Sequence, residues 1–526
     1  MFELALAIGL YSYLILCLGL LGRLAFYPVA IVSVLFWGFF TIVNVKRKKG
    51  IKVGWGSRKK LFADKFVLFL LLILFLQAII NLIGGLGPEL SFDALWYHLT
   101  LAKLYVHEQR IFYIPGGLLY YSTMPRLGEM LYSVALIFNN EILAKLIHWG
   151  FGLLSSLALF QLLRRYLNPR FGFLGIMLFY TLLVVGWQST TAYVDLIRTF
   201  FELLALTYFL YWLENKGNWL FKSGLMMGFS LCTKHLGLET LAVFLILILF
   251  FSQKRMRDGL TFLMISLTVA LPWYCLSWLN TGYPFYPLFT PWFTRGQIGE
   301  WGQFFTAHNP LLFFTSPWST TFHLDNLLSP VFLILLPLVL AKVWKQKRII
   351  KITALYAFLG YFFWFLTPPS SARYLLPFLL ALILVSLKTL TAYRKPIQQM
   401  AIGAIVLACC LNLGARAMAT KKFLPVVFGQ QSKTDFLSQN LNFAYGDFYD
   451  VDGFFKENIK ENDLVLISGI HNLYYVDFPF VHESWAKPST KYNHLLIREG
   501  DLPKEFNQAK LIYENAKTQV KLYELE

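Results

Sequence analysis

The sequence has few charged residues and few cysteines. Of its 526 residues, 14% are charged and 57% are hydrophobic, whereas soluble proteins carry about 25% charged residues. This composition excludes an ordinary soluble protein and predicts an α-helical protein that crosses a membrane many times. All five cysteines lie in apolar runs without a CxxC or Cys/His pattern. The sequence therefore predicts neither a disulfide framework nor a zinc site.

Several motifs of soluble enzymes and ATP-driven transporters are also missing. The chain has no Walker A sequence, no GxGxxG after a strand, no GxSxG turn and no HExxH pattern, which argues against ATP-driven transport and soluble nucleotide-sugar chemistry. The net charge of +18 does not predict nucleic-acid binding. Its basic residues cluster in short breaks between apolar runs, such as 45–60, where cytoplasmic loops and anionic membrane lipids favour them.

Apolar runs of near-spanning length dominate the sequence, and a helix needs about 20 residues to cross the hydrocarbon layer. We predict about thirteen transmembrane helices, at 4–22, 24–45, 66–86, 141–163, 171–187, 196–213, 219–233, 236–252, 259–279, 326–343, 352–367, 374–391 and 397–414. The runs 219–233 and 236–252 are short and predict a shallow hairpin. Lys and Arg concentrate in one set of loops, which we therefore expect to be cytoplasmic.

The same pattern divides the chain into three parts. Residues 1–65 predict an N-terminal helical hairpin with a basic cytoplasmic loop. Residues 66–415 predict a transmembrane catalytic region, with outward-facing loops at 87–140 and 280–325. Residues 416–526 predict a small extracytoplasmic α/β domain, because the stretch contains the strand-like "LVLIS" and ends in "AKLIYENAKTQVKLYEL", which is typical of strand, turn and strand.

The stretch 103–140 is amphipathic. Pro115 and Pro125 interrupt it, and its many tyrosines suit the headgroup layer. It therefore predicts two interfacial helices and no further span. If it did cross the membrane, Asp93 and Asp195 would lie on opposite sides.

Asp93 is the first candidate for chemistry. It lies in "PELSFDALWYHLTLAK", residues 88–103, directly after the run 66–86. Helical spacing places Tyr97 one turn later with His98 beside it, and a carboxylate near an acceptor hydroxyl is a suitable general base. The alternative is a solvated helix cap. Glu89 and Lys103 read as ordinary interfacial residues.

A second acid, Asp195, begins the run that follows "GWQSTTAYV". The predicted topology places it on the same surface as Asp93, and ionisable groups near a bilayer often mark a substrate route. Taken alone, Asp195 is better explained as a helix N-cap or as the ion-pair partner of Arg198 than as a functional acid.

Four further residues could supply positive charge or hydrogen bonds on this surface. Lys234 and His235 fall between the two short runs, Arg373 begins a later run, and Arg126 lies in the interfacial stretch. Each basic side chain alone would be expected to reach toward lipid headgroups. Together they could hold a lipid phosphate or pyrophosphate, with Arg as a bidentate donor and Lys as a point charge.

Several stretches occur in an order that resembles a known superfamily. They are "SFDALWYHLTLAKLY", "YYSTMPRLGEMLYSVALIFNNEILAKLIH", "TAYVDLIRTFFELLALTYFLYW", "CTKHLGLE", "WLNTGYPFYPLF" and "SARYLLPFLLAL". Over about residues 66–415 the chain resembles the GT-C superfamily of integral-membrane glycosyltransferases. The resemblance is to bacterial relatives of protein O-mannosyltransferases and of the lipid A aminoarabinose transferase.

The resemblance implies a polyprenyl-phosphate sugar donor and transfer on the outer face of the inner (plasma) membrane. Asp93 would then be the base, Asp195 would orient the acceptor or a metal, and Lys234 and Arg373 would contact the donor phosphate. Ala94 follows Asp93, so the Asp-Glu pair of protein mannosyltransferases is absent and a lipid or glycan acceptor is favoured. No cofactor is required by these residues, and a divalent metal stays open.

Two alternatives stay open. A transporter or flippase of lipid-linked sugars would use the same charges for binding alone, but it should show internal repeats and interrupted helices at mid-membrane. A ligase or polymerase of lipid-linked glycans is chemically closer to the first reading.

Overall fold

The computed structural model describes residues 1–48, 64–138, 140–215, 217–288, 310–322, 328–367, 371–498, 500, 502–503 and 506–525. These residues form a mainly helical body followed by a five-stranded sheet near the C-terminus. Most of the basic stretch 45–60 and much of 280–325, which we predicted as an outer loop, lie outside the described residues.

The predicted class, a polytopic helical membrane protein, is confirmed. Within the described residues, nine helices are long and apolar enough to span a membrane. They are Phe2–Leu20, Phe26–Val45, Lys65–Leu86, Glu141–Tyr166, Asp195–Asn215, Arg255–Thr281, Arg348–Leu366, Ala372–Leu390 and Lys395–Val427.

The other four predicted spans are helices that are too short or interrupted. They are Pro169–Tyr180 continued by Leu183–Gln188, then Trp219–Leu231, Gly237–Phe251 and Val331–Lys342. Hydropathy alone does not separate such segments from full spans, because a short apolar helix can pack inside a bundle without reaching both surfaces. Trp219–Leu231 and Gly237–Phe251 form the predicted hairpin, with Lys234 in its turn.

Between Lys65–Leu86 and Glu141–Tyr166 the chain forms only short elements, as predicted for 103–140. A π-helical turn at Ala94–His98 leads into the helix Leu99–His107, and a second helix follows at Leu127–Phe138. Other short helices occupy Pro310–Phe322, Lys433–Asn440 and Phe454–Asn458.

The C-terminal sheet contains β1 (Val465–Ser468), β2 (Phe480–His482), β3 (His494–Arg498), β4 (Lys510–Asn515) and β5 (Val520–Glu524). The strand order is β2-β1-β3-β5-β4. β1 is parallel to β2 and β3, while β5 is antiparallel to β3 and β4. The predicted strand, turn and strand at the C-terminus is therefore confirmed as β4 and β5.

The helix Asp195–Asn215, which we call the central helix, is the most enclosed of the nine long helices. Within an 18-residue apolar stretch of this helix, 89% of the residues are buried inside the protein, whereas the corresponding share in Phe26–Val45 is 6%. It packs against Trp219–Leu231, Glu141–Tyr166 and Leu376–Leu390. Polar side chains near its start therefore face protein and not lipid, which is where membrane proteins keep ionisable groups.

The C-terminal region packs directly on the loop that carries Asp93. The backbone N–H of Tyr474 donates to the Leu95 carbonyl at 3.3 Å, and the Tyr475 hydroxyl donates to the Glu89 carbonyl at 2.9 Å. Lys103 donates to the carbonyls of Tyr474 and Val476 at 2.8 Å each. Lys103 is therefore not an ordinary interfacial residue, because it joins the two regions.

One glycine shows how closely these regions approach. Gly116 has a positive φ of 91°, and an added Cβ would lie 1.7 Å from the backbone oxygen of Ser484. Only glycine fits at this position, since any side chain would collide with the C-terminal region.

Candidate active site

Four charged side chains from four parts of the chain meet at the start of the central helix. The Arg373 guanidinium lies 2.7 Å from the carboxylate of Asp93 and 3.9 Å from that of Asp195. The Lys234 ammonium lies 3.3 Å from the other carboxylate oxygen of Asp195. We call these residues the charged cluster. One guanidinium bridges the two acids, so Asp93 and Asp195 lie on the same side of the helical bundle.

The charged cluster is enclosed but not sealed. The Asp195 side chain is fully buried, whereas those of Arg373, Asp93 and Lys234 are 12%, 15% and 17% exposed. The Arg373 guanidinium lies 4.9 Å from the ring centre of Tyr193. Low solvent exposure strengthens the attraction between such charges, because little water is present to screen them. The ring face of Tyr193 also attracts the guanidinium.

The carboxylate of Asp93 faces Arg373 and does not cap the helix that follows. It makes no side-chain hydrogen bond to the backbone of the turn Ala94–His98, so the capping alternative is wrong. The Tyr97 hydroxyl donates to Asp93 at 3.3 Å, and the backbone N–H of Asp93 donates to the Tyr193 hydroxyl oxygen at 3.2 Å. A π-helical turn is rare in proteins overall, but such turns occur frequently at functional sites.

The environment of Asp93 keeps it ionised. Burial acts to raise its pKa, but the positive charges of Arg373 and Lys234 outweigh burial and hold the pKa below the ordinary value of 3.8. Burial and the charge of Asp93 raise the pKa of Tyr97 well above 10.0. At neutral pH the pair is therefore a carboxylate and a protonated phenol.

Asp195 does not form the ion pair with Arg198 that the sequence suggested as one alternative. Arg198 forms its ion pair with Glu202, at 3.6 Å, and Asp195 pairs with Lys234. The 195/198 pairing is therefore wrong. The backbone N–H of the next residue, Leu196, donates to His148 Nε2 at 3.1 Å, while His148 Nδ1 lies 2.9 Å from the Thr191 carbonyl oxygen. These two contacts fit a neutral His148 that carries its proton on Nδ1.

Glu89 holds the two acid-bearing loops together. It is 1% exposed. One carboxylate oxygen accepts from the backbone N–H groups of Leu90 and Ser91 at 2.9 Å each, and the other accepts from Ala192 at 2.7 Å. The interfacial assignment of Glu89 is therefore wrong. No feature of the sequence identifies its third partner, which lies 103 residues further along the chain.

Lys145 fixes the start of the same loop from another helix. It is completely buried, and its ammonium donates to the carbonyls of Gly84, Gly87 and Pro88 at 3.0, 2.6 and 3.1 Å. A cation at the C-terminal end of a helix satisfies carbonyls that have no partner within the helix. No local pattern in the sequence identifies this residue, because its partners lie at the end of a separate helix.

Three residues predicted for the site make their contacts elsewhere. His98 Nδ1 lies 2.6 Å from the Glu129 carboxylate. His235 Nε2 lies 3.1 Å from the Tyr286 carbonyl oxygen. Arg126 bonds to the Tyr105 hydroxyl. Of the eight predicted residues, the structure thus joins Asp93, Asp195, Tyr97, Lys234 and Arg373, and it directs the other three side chains to other partners.

The two acids and two cations of the charged cluster pair with each other. Both acids are already paired with cations, and the described part of the chain contains no group of three or more His, Cys, Asp or Glu side chains that could hold a metal ion. Two buried polar atoms of the cluster, Arg373 Nε and Asp195 Oδ2, have no hydrogen-bond partner among the described residues. A donor of positive charge and a carboxylate acceptor are thus both able to take a further partner.

A family match and a structural match extend this description. Residues 130–278 match the family described as dolichyl-phosphate-mannose-protein mannosyltransferase; the matched segment contains Asp195 and Lys234. No protein of curated function matches the sequence.

The solved structures with a similar fold include two of ArnT from Cupriavidus metallidurans. The structure bound to undecaprenyl phosphate has a TM-score of 0.56 at 12% identity, and the match covers 86% of this chain and 97% of that one. The apo structure has a TM-score of 0.55 at 11% identity with the same coverage. The predicted resemblance is confirmed: residues 130–278 match a glycosyltransferase family, and most of the chain has the fold of the ArnT structures.

Proposed function

We propose that the protein transfers a sugar from a polyprenyl-phosphate donor to a hydroxyl of a lipid or glycan acceptor, on the outer face of the inner membrane. The observation that carries the proposal is the bridge that Arg373 makes between Asp93 and Asp195, with Lys234 beside it. A base for an acceptor hydroxyl and two cations for a phosphate are thereby within one site.

The proposed reaction is a single displacement. Asp93 takes the proton of the acceptor hydroxyl, whose oxygen attacks the anomeric carbon of the donor sugar. The bond between that carbon and the phosphate oxygen breaks, and its electron pair stays on the polyprenyl phosphate. Arg373 and Lys234 stabilise the negative charge that develops on the phosphate. Attack from the opposite side inverts the anomeric configuration.

The bridging position of Arg373 gives the donor a way to activate Asp93. A phosphate bound beside Lys234 competes with Asp93 for the same guanidinium. When Arg373 turns toward the phosphate, Asp93 loses its main positive neighbour, and its pKa rises from its lowered value. The carboxylate then becomes a stronger base only once the donor is present.

The comparisons support a lipid-phosphate donor. The matched family is described by its dolichyl-phosphate-mannose donor, and a protein of similar fold is bound to undecaprenyl phosphate. The absence of an acid after Asp93, where Ala94 stands, favours a lipid or glycan acceptor over a protein. The Lys and Arg distribution supports an outward orientation of the site, and the C-terminal region would share it because it packs on the loop that carries Asp93.

The test is transfer by the purified full-length protein, incubated with polyprenyl-phosphate sugars and with lipid or glycan acceptors. We expect release of polyprenyl phosphate together with a glycosylated acceptor. Asp93→Asn should lower turnover by about 10²- to 10⁴-fold while undecaprenyl phosphate still binds.

Asp64 provides a matched control, because it lies at the start of the helix Lys65–Leu86 and Asp93 lies beyond its other end. Asp64 precedes Lys65–Leu86 and pairs with Arg170, so Asp64→Asn should leave turnover unchanged. Full turnover by Asp93→Asn would refute the assignment of the base. Movement of a lipid-linked sugar across liposomes, without transfer and independent of Asp93, would favour the transporter alternative.

A further inference from the structure

A buried arginine, one turn along the central helix from the charged cluster, holds the segment that carries Arg373. Arg198 is 1% exposed, and its guanidinium donates to the backbone carbonyl of Tyr374 at 2.6 Å. Tyr374 directly follows Arg373 in the turn Ala372–Leu375. Because this contact is to the backbone, a shift of Arg198 moves the turn and the guanidinium of Arg373 with it.

The partner of Arg198 holds the hairpin that carries Lys234. Glu202 lies 3.6 Å from Arg198. One of its carboxylate oxygens accepts from the Ser230 hydroxyl at 2.7 Å, and the other accepts from the Thr240 hydroxyl at 2.7 Å. Ser230 and Thr240 belong to the two helices of the hairpin, on either side of its turn. Both arms are therefore tied to the central helix by one carboxylate.

Stability alone does not explain this pair. The side chains of Arg198 and Glu202 are 1% and 0% exposed, and the desolvation cost of such a pair commonly equals or exceeds its attraction. An apolar pair of the same volume would often be as stable. The pair does connect three parts of the charged cluster, namely the central helix with Asp195, the turn with Arg373 and the hairpin with Lys234.

We propose that Arg198 and Glu202 are positioning residues that set the spacing of Arg373 and Lys234 around the donor phosphate. This inference rests on the proposed function, because it takes the two cations as the phosphate site. Two cations that meet one phosphate must hold a fixed separation, and a displacement of about 1 Å is enough to cost a large part of the effect.

The first test is the affinity of the purified full-length protein for undecaprenyl phosphate. Arg198→Lys keeps the positive charge, but an ammonium does not reproduce the planar geometry that serves both the Tyr374 carbonyl and Glu202. We expect binding to weaken by about 10-fold or more.

The control for this variant is the ion pair between Arg165 and Glu214, at 2.7 Å, because Glu214 lies near the other end of the central helix. Arg165→Lys should leave the affinity unchanged. A purely structural role of Arg198 would lower the melting temperature and leave the affinity of the folded protein unchanged, and that result overturns the inference.

A second variant keeps the test decisive if Arg198→Lys does not fold. Ser230→Ala combined with Thr240→Val removes both hydroxyls that hold Glu202 and changes no charge. Affinity for undecaprenyl phosphate should fall by about 3- to 10-fold, because the hairpin that carries Lys234 is held less firmly once both hydrogen bonds to Glu202 are lost. Unchanged affinity in this folded double variant overturns the inference.

Combining Arg198→Lys with Arg373→Lys separates the two proposals. If Arg198 acts through Arg373, the loss of affinity in the combined variant is smaller than the product of the two single losses. A loss equal to the product overturns the inference. If Arg373→Lys alone leaves the affinity unchanged, the proposed phosphate site fails. If Arg373→Lys weakens binding and Arg198→Lys does not, only the positioning role fails.

Discussion

Two groups of charges near the start of the central helix differ in what surrounds them. The charged cluster keeps 12–17% exposure on three of its four side chains, so a further partner can reach it. The Arg198 and Glu202 pair, one to two turns further along, is 1% and 0% exposed and binds elements of the protein itself. The same residue types are thus partly open at one depth and enclosed by protein at the next, as the two proposed roles require.

Exchanging Arg for Met in each group should give the largest difference, which is a difference in the loss of folding stability. Arg198→Met leaves Glu202 buried without its cation, and breaking such a pair costs about 3–5 kcal/mol. Arg373→Met should destabilise the protein less, because Asp195 keeps Lys234 and Asp93 is partly exposed. Thermal melting of both variants in detergent checks the difference. Equal losses of stability would remove the distinction between the two groups.

Replacing Arg373 by lysine tests the binding side of the comparison. Lysine keeps the charge but loses the two-pronged contact to a phosphate, so affinity for undecaprenyl phosphate should fall by about 10-fold, as expected for a charged hydrogen bond worth about 1.5 kcal/mol. Arg348→Lys is a suitable control, because Arg348 donates to the Phe251 carbonyl in a separate part of the chain. Equal affinity in wild type and Arg373→Lys would contradict the phosphate contact.

Replacing Glu89 should have a smaller effect, and that effect should be on turnover. Glu89→Gln removes the negative charge that three backbone N–H groups share, at a cost of about 1 kcal/mol. We expect turnover to fall about 5-fold with little change in donor affinity, since the loops that carry the acids loosen while both cations stay in place. A fall in donor affinity with normal turnover would show that Glu89 acts on the cations instead.

The pH dependence of folding stability should show the smallest effect. The pKa of Asp93 lies below 3.8 in the folded protein, so its ionised form contributes stability above the ordinary pKa, and that contribution is lost only as the pH falls through the lowered value. Melting temperature measured without donor should therefore show no transition from Asp93 between pH 7 and 5. A transition in this range that disappears in Asp93→Asn would contradict the lowered pKa.

Sequence alone predicted the helical membrane class, the short elements that replace a long helix in 103–140 and the terminal strands β4 and β5. Each of these depends on local periodicity or composition, which a contiguous stretch contains in full. The number of full spans was less well predicted: thirteen apolar runs correspond to nine long helices within the described residues. The interruption between Pro169–Tyr180 and Leu183–Gln188 leaves no clear mark in hydropathy.

The sequence by itself determined that Asp93, Asp195, Lys234 and Arg373 occur where apolar runs begin or end, because charges are expelled from the hydrocarbon layer. Only the tertiary structure decided that Arg373 bridges both acids and that Arg198 pairs with Glu202. These contacts depend on which helix ends meet. Asp93 and Arg373 are 280 residues apart in the chain, so only the packing of the helices brings them together. Glu89 and Lys145 show the same limit, since their partners become neighbours only after the helices assemble.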